Sequence, residues 1–449
     1  MTRTPPDLRD RPRAAPVGLV PAARPRGVEP GFVWDLLARR AASPARDDVL
    51  LIGENGETLT AAQAVAAAEA LASALLARGI RPQMTVAWQL DNSIAAALLV
   101  LGLARLGVVQ APVPADASET ALTSALTAAA AEVLVVQNER GERGGAPAAA
   151  PAAGVRLLTL EPGWTLPRAG IRLPPYRRGE WSPRWLFTGA APAAGSSAVQ
   201  HTDVSLGSAS HALRAGGLLG GGGRDVGALM LPLSSVWGVV HLAALIECGI
   251  PIVLMQPHAP SFTVGVLRQF GVTVGCGDSA LGLALLRLRR ALPRGSRHLV
   301  PEVRALLANW RPEVPDIDRL VKRELGITMS HDYGLAEAPL ILHGARTGIT
   351  SARTLHLIGT PVPGIDVRIV RHGVRVRAGI SGEIEVTGAG LFAGYSRRAG
   401  SAPALTADGW FRTGDRGRLS IDGRLQVLRP RAGSDAEREA WAAGADGRQ

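Results

Sequence analysis

Four short runs hold most of the groups in this chain that can do chemistry. The first is Asp332-Tyr333-Gly334-Leu335-Ala336-Glu337. An aromatic placed after a strand can stack on a planar ring, a glycine lets the backbone approach a ligand closely, and a glutamate is a hard oxygen ligand suited to magnesium. The second is Gly409-Trp410-Phe411-Arg412-Thr413-Gly414-Asp415. A carboxylate there can take hydrogen bonds from two neighbouring hydroxyls, because two oxygens meet two donors. The third is Phe187-Thr188-Gly189-Ala190-Ala191-Pro192-Ala193-Ala194-Gly195-Ser196-Ser197, whose backbone N–H groups can cradle an anion. The fourth is Leu231-Pro232-Leu233-Ser234-Ser235-Val236-Trp237-Gly238. Its Trp237 can line a ligand pocket or simply fill core, the commoner role. The first two runs also have plainer readings: a strand-to-loop turn with an exposed glutamate, and a solvated turn aspartate.

Alternating elements must position these groups. From Val33 the spacing predicts a helix, and Leu50-Leu51-Ile52 with Glu57-Thr58-Leu59-Thr60 reads as a hairpin. Thr60 caps a helix over 61–78, with Gly79 after its end. A strand over 85–90, a helix over 92–106 ending at Gly107, and a strand over 108–113 give the alternation of a parallel sheet. The Ala/Gly/Pro-rich stretch 139–154 reads as a loop or linker. A second alternating unit spans 185–342. Gly216 to Gly223 reads as a surface loop, since no Lys-Ser or Lys-Thr follows it. After Leu355 short β-like runs punctuated by glycine (367–370, 383–386, 419–421, 425–427) suggest a small antiparallel barrel or sheet.

Composition bounds the rest. At 449 residues the chain is too long for one simple core, and 47% hydrophobic content with only 4% aromatics requires an aliphatic interior. The formal charge of +11 comes from scattered arginine, with Lys322 the only lysine, and no nucleic-acid-binding signature accompanies it. Cys248 and Cys276 are too few for a disulfide framework and lack metal-ligand spacing. No apolar stretch is long enough to span a bilayer, and residues 1–28 form a Pro/Arg-rich tail unlike a signal peptide. We expect no nucleic-acid partner, no membrane span and a cytoplasmic location.

The Tyr333 and Asp415 runs together resemble two nucleotide-site motifs of the adenylate-forming (AMP-binding) ligases, the acyl-CoA synthetases and fatty-acyl-AMP ligases. Gly359-Thr360-Pro361-Val362-Pro363-Gly364 and Gly382-Glu383-Ile384-Glu385-Val386-Thr387-Gly388 with Gly394-Tyr395 resemble two further motifs of that family. The resemblance implies an α/β fold: two layered αβαβα-type subdomains over about 29–180 and 181–350, and a small distorted β-barrel over 351–428. It implies an adenylation domain over 29–428, a hinge remnant and tail over 429–449, and no C-terminal lid. It also implies ATP-dependent activation of a carboxylic acid, fatty or other acyl, as its adenylate. ATP and Mg2+ would be the cofactors, and coenzyme A or another thiol the acceptor. A separate lid subunit or an acyl carrier protein would be the partner.

By the same resemblance Tyr333 stacks on adenine, Gly334, Ala336 and Asp332 line the nucleotide site, and Glu337 is catalytic and binds the metal. Asp415 and Arg429 hold the ribose, Thr188 is catalytic at the head of the phosphate loop, and Ser235, Trp237 and Gly238 form the acid pocket. Several positions depart from the pattern. Ser197 falls where the family has a lysine and Asp203 where it has a histidine. Ala336 replaces a threonine and Ser235 a histidine. Lys322 matches neither family lysine. The alternative expectation is therefore a pseudoenzyme that binds a nucleotide, an acyl ligand or a protein without turnover.

Overall fold

The computed structural model describes residues 32–137, 146–160, 171–177, 183–188, 197–220, 225–256, 258–293, 298–310, 317–349, 355–396 and 405–429. The expected tail, most of the phosphate loop and the segment after 429 lie outside the described residues.

The chain opens with α1 (Val33–Ala41), the hairpin β1 (Val49–Gly53) and β2 (Thr58–Thr60), and α2 (Ala61–Ala77). There follow β3 (Thr85–Gln89), α3 (Ile94–Leu106), β4 (Val109–Pro112), α4 (Glu119–Ala129), β5 (Val133–Gln137), α5 (Ala146–Ala152), β6 (Arg156–Leu160), β7 (Pro183–Phe187) and β8 (Val199–Thr202). Next come α6 (Asp203–Ala215), β9 (Gly227–Leu229), α7 (Val236–Cys248), β10 (Ile252–Leu254), α8 (Pro260–Gln269), β11 (Val274–Asp278), α9 (Ser279–Ala291), β12 (Ala305–Asn309) and α10 (Ile317–Leu325). The rest is strand: β13 (Thr328–Leu335), β14 (Ala338–Ile349), β15 (Leu355–Gly359), β16 (Ile365–Arg371), β17 (Val374–Arg375), β18 (Gly382–Gly388), β19 (Gly394–Tyr395), β20 (Phe411–Leu419) and β21 (Leu425–Arg429).

Local signals set the boundaries. Thr60 and Gln63 form a reciprocal capping box at α2. Ser93 caps α3, and Gly107 ends it in the left-handed conformation that a Cβ disfavours. Nearly all of α3 is apolar and buried, so it cannot lie on the surface.

Two sheets result. One runs β19-β8-β7-β4-β3-β5-β6 and the other β17-β16-β18-β20-β21-β15-β14-β13-β12-β11-β9-β10-β1-β2. Helices α3 and α7 touch strands of the large sheet, and α3 and α6 touch strands of the small one, so a helical layer lies between them. The main aliphatic core fills that layer. A second core lies under α8, α9 and α10, and a third under α4 and α5. This is the layered α/β architecture expected from the alternation.

The sheets do not divide where texture along the chain suggests. The hairpin β1–β2 belongs with β9–β14, joined through parallel β1–β10 pairing. Strands β7 and β8 belong with β3–β6, β7 lying parallel to β4. The contiguous division 29–180/181–350 is thus not the division of strand pairing. Texture reports an element's type, whereas its partner is set by which buried face the intervening helices must cover. The expected linker 139–154 contains α5. Alanine is the best helix former, and Ala149 and Ala150 pack without exposure in the third core. The run 419–421 is not a strand: β20 ends at Leu419, and Ile421 is 97% exposed.

Candidate functional site

The hairpin β13–β14 carries the first candidate run at its turn. Gly334 is dictated by packing: a Cβ there would lie 2.2 Å from the Pro339 carbonyl oxygen across the hairpin. Tyr333 lies within β13, only 4% exposed. Its hydroxyl donates to Asp415 Oδ2, and its ring meets Trp310 edge-on at 6.4 Å. Burial, then the neighbouring Asp415 charge, pushes the Tyr333 phenol well above its ordinary value.

Asp415 is not in a turn. Strand β20 alternates buried and exposed residues, and Asp415 points inward at 1% exposure. Thr413 fixes the local backbone: its hydroxyl accepts from the Asp415 N–H at 3.0 Å and donates to the Ile384 carbonyl at 2.9 Å. The two runs, 82 residues apart, meet directly.

Glu337 sits half-buried in the turn. The Tyr395 hydroxyl donates to its Oε1 at 2.6 Å, and the Phe392 N–H donates to its backbone carbonyl at 2.8 Å. Both contacts come from a strap over 392–396 that pairs through β19 with β8. The Ala336 carbonyl is held from below by His201 Nε2 at 2.6 Å. A carbonyl only accepts, so Nε2 carries the proton. Burial pushes the His201 imidazole down to about 4, against a smaller opposite effect of the Ala336 bond. His201 is not among the residues that motif reading selects. It lies just before the Thr202 cap of α6, and nothing in its spacing marks it.

Other candidates serve elsewhere. Asp332 faces away from Asp415 and sits between His343, whose Nδ1 is 2.7 Å from Oδ1, and His241, whose Nε2 is 3.6 Å from Oδ2. Ser235 caps α7, accepting from the Gly238 N–H at 3.0 Å and donating to the Pro232 carbonyl at 2.7 Å. A Cβ on Gly238 would lie 2.0 Å from that carbonyl oxygen, so both residues are needed to start the helix. Trp237 is half-buried and donates from Nε1 to the Pro339 carbonyl at 3.0 Å, which ties α7 to the β13–β14 hairpin. Arg429 ends β21 opposite Arg416, and its side chain lies outside the described residues. Lys322 bonds the Gly326 carbonyl and Thr328 at the start of β13. At about 3.3 Å per residue, that is roughly 16 Å along the strand from Tyr333.

Near the phosphate loop, the Thr188 hydroxyl is buried with no hydrogen-bond partner among the described residues. Residues 189–196 lie outside those described. Asp203 starts α6 and takes a hydrogen bond from Trp185 Nε1 at 3.1 Å. Burial pushes its carboxyl up to about 6, with Trp185 and Arg184 acting against the rise.

These residues fit a nucleotide and its metal. Magnesium commonly takes one or two carboxylates together with phosphate and water, and Glu337 supplies one carboxylate. Among the described residues no cluster of three or more His, Cys, Asp or Glu could form an all-protein cage. The Thr188 hydroxyl, without a hydrogen-bond partner among the described residues, leaves a buried polar atom at the head of the expected phosphate loop. A cleft of about 440 Å³ lined by Glu69, Ser73, Arg105 and residues 171–173 shares no residue with this site.

The AMP-binding enzyme family matches residues 37–168 and 198–396. The chain belongs to that family. It is similar to 2-succinylbenzoate–CoA ligase of Bacillus cytotoxicus, 27% identical over 201 residues, a match covering 44% of this chain and 40% of the relative. It is also 26% identical over 382 residues to feruloyl-CoA synthase of an Amycolatopsis species, covering 84% of this chain and 74% of the relative. Among solved structures, MatB from Rhodopseudomonas palustris superposes with a TM-score of 0.74 at 23% identity, covering 89% of this chain and 79% of that one. That likeness confirms the α/β layered fold.

Proposed function

We propose that this protein activates a carboxylic acid as its acyl adenylate at the expense of ATP, releasing pyrophosphate. The observation that carries this reading is the meeting of Tyr333 with Asp415 beside the Glu337 turn, in a chain of the AMP-binding family. Bound magnesium-ATP supplies an electrophilic α-phosphorus, which an acid carboxylate attacks as pyrophosphate leaves. The chain's own groups bind and orient. Asp415 accepts from the ribose hydroxyls, sharing or replacing its bond with Tyr333. Glu337, steadied by Tyr395, offers the carboxylate for the metal. Thr188 and the backbone that follows it receive phosphate oxygens. Lys322, the one lysine of this sequence, is held at the far end of β13 and is not among these groups.

Two relatives named above carry an aromatic acid in their names, and another, 32% identical over 199 residues, is a malonate–CoA ligase of Mus musculus, so the acid panel spans both kinds. Coenzyme A or a carrier-protein thiol is the proposed acceptor, with closure supplied by a lid on this or another chain. The test is ATP–pyrophosphate exchange across a panel of short, long and aromatic acids. Acid-dependent exchange is expected, reduced about 100-fold or more in Glu337→Ala and Asp415→Ala, as for loss of one preorganised group. Folded protein that exchanges with no acid would refute the reading for that panel.

A further inference from the structure

Ala336 and Glu337 form the turn between β13 and β14. A turn leaves backbone carbonyls without ladder partners, and these need donors from elsewhere. Two such carbonyls flank Glu337. The Ala336 carbonyl shares one planar peptide unit with the Glu337 nitrogen, and it accepts from His201 Nε2 at 2.6 Å. The Glu337 carbonyl belongs to the next peptide unit and accepts from the Phe392 N–H at 2.8 Å. Both peptide planes that set the direction of the Glu337 side chain are thus pinned. Its carboxylate accepts from the Tyr395 hydroxyl at 2.6 Å.

The three donors form one block. Strand β19 pairs with β8, Gly394 opposite Gln200 and Tyr395 opposite Val199. The Ala393 N–H donates to the Gln200 carbonyl at 2.7 Å, and the Ser396 N–H to the Ala198 carbonyl at 2.8 Å. Strands β8 and β19 lie in the small sheet, whereas the Glu337 turn joins strands of the large one. Strand β8 also begins at Val199, just after the run expected to receive phosphate. His201 is built to hold position. It is fully buried, its Nδ1 lies 2.9 Å from the Ser205 hydroxyl, which can donate to it, and its ring is neutral near pH 7.

We propose that His201 is a positioning residue for the metal side of the site: its Nε2–H fixes the peptide plane ahead of Glu337 and so holds that carboxylate where the magnesium of magnesium-ATP must meet it. This rests on the adenylation reading above. His201 touches neither metal nor nucleotide and acts through Ala336. A group that orients a metal ligand typically contributes about 10- to 100-fold in metal affinity.

Isothermal titration tests this without turnover, with ATP in magnesium against AMP in EDTA, which presents the nucleoside and no metal. In His201→Asn the shorter amide remains beside Ser205 but falls short of Ala336. Binding of magnesium-ATP should weaken about 10-fold, and AMP binding should change by no more than about twofold. In His201→Gln the longer amide can place an N–H where Nε2 stood, so magnesium-ATP affinity should return to within about threefold of the parent. If the asparagine variant does not fold, His201→Leu takes its place. A folded variant without the donor that binds magnesium-ATP as the parent does would overturn the role. So would an equal loss of AMP binding, or a folded glutamine variant that restores nothing; these outcomes mark His201 as a packing residue and leave adenylation standing. A parent that binds neither nucleotide removes the adenylation reading and this role together.

Discussion

His201 and Asp203 give a sharp test of how the structure treats charge beside the site. They are two residues apart, His201 fully buried and Asp203 half-buried, and their proton affinities move in opposite directions. The His201 imidazole falls from 6.5 to about 4 and the Asp203 carboxyl rises from 3.8 to about 6, each chiefly through burial. Each change is a little over two decades in proton affinity, or about 3 kcal/mol at roughly 1.4 kcal/mol per decade. The signs differ. A neutral buried histidine contributes stability that is fully present above 6.5 and is lost as pH falls through about 4, because the unfolded chain takes the proton first. A carboxyl with raised affinity contributes stability that is fully present below 3.8 and is lost as pH rises through about 6. Between about pH 4 and about pH 6 the two slopes oppose each other, and their sum is nearly flat.

Single substitutions should expose the hidden slopes. His201→Gln leaves the Asp203 slope alone, so stability relative to the parent should rise by about 3 kcal/mol between pH 7 and pH 4. Asp203→Asn leaves the His201 slope alone, so relative stability should fall by about the same amount over that range. Urea unfolding of the parent and both variants at pH 7, 6, 5 and 4 measures this directly, and groups common to all three cancel in the differences. Profiles for both variants that run parallel to the parent within about 1 kcal/mol would refute the assignment of buried, neutral His201 and raised Asp203.

Three further outcomes follow from single contacts. Tyr333→Phe removes the donor to Asp415 Oδ2 and should cost about 1–3 kcal/mol in urea unfolding, since a buried carboxylate loses a partner. Asn92 joins the two sheets, donating to the Leu229, Leu231 and Met255 carbonyls and accepting from the Leu233 N–H. Asn92→Ala should therefore cost about 3 kcal/mol or more, read as a lower denaturant midpoint. Gly334→Ala places a Cβ 2.2 Å from a backbone oxygen that cannot swing away, so native near-ultraviolet circular dichroism should be lost, and a native signal would contradict the hairpin packing.

Much of the fold is legible in the chain because its signals are local. The Thr60 box, the Ser93 cap and Gly107 each act within one turn of helix, and α2 and α3 begin and end close to the predicted bounds. Pairing across the sheets is not local, and the placement of β1–β2 and of β7–β8 escapes prediction for that reason. In the candidate site, residue types point to Tyr333, Glu337 and Asp415, but a motif does not say whether a residue acts on a ligand or on its neighbours. Ser235 reads as a pocket residue and is used as a helix cap. Asp332 reads with the nucleotide run, yet alternation along β13 turns it to the opposite face from Tyr333. His241 has a usable signal, since it falls four residues after Trp237 and so on the same helical face. His201 has none.

The meeting of Tyr333 and Asp415 also says something about the shape of the small β unit. Along the large sheet the path from β13 to β20 passes through β14, β15 and β21, four strand steps. In a flat sheet, four steps at about 4.8 Å would set the two strands roughly 19 Å apart. A tyrosine side chain cannot span that distance, yet its hydroxyl bonds the carboxylate. The sheet must therefore curl between β14 and β20, and it does so where β14 leaves β13 with two register shifts and takes up β15 with its other half. The candidate site is a product of that curl rather than of either strand alone. Conditions that unfold the antiparallel unit should then separate Asp415 from Tyr333 even while the parallel strands remain paired, and nucleotide binding should be lost before the layered core unfolds.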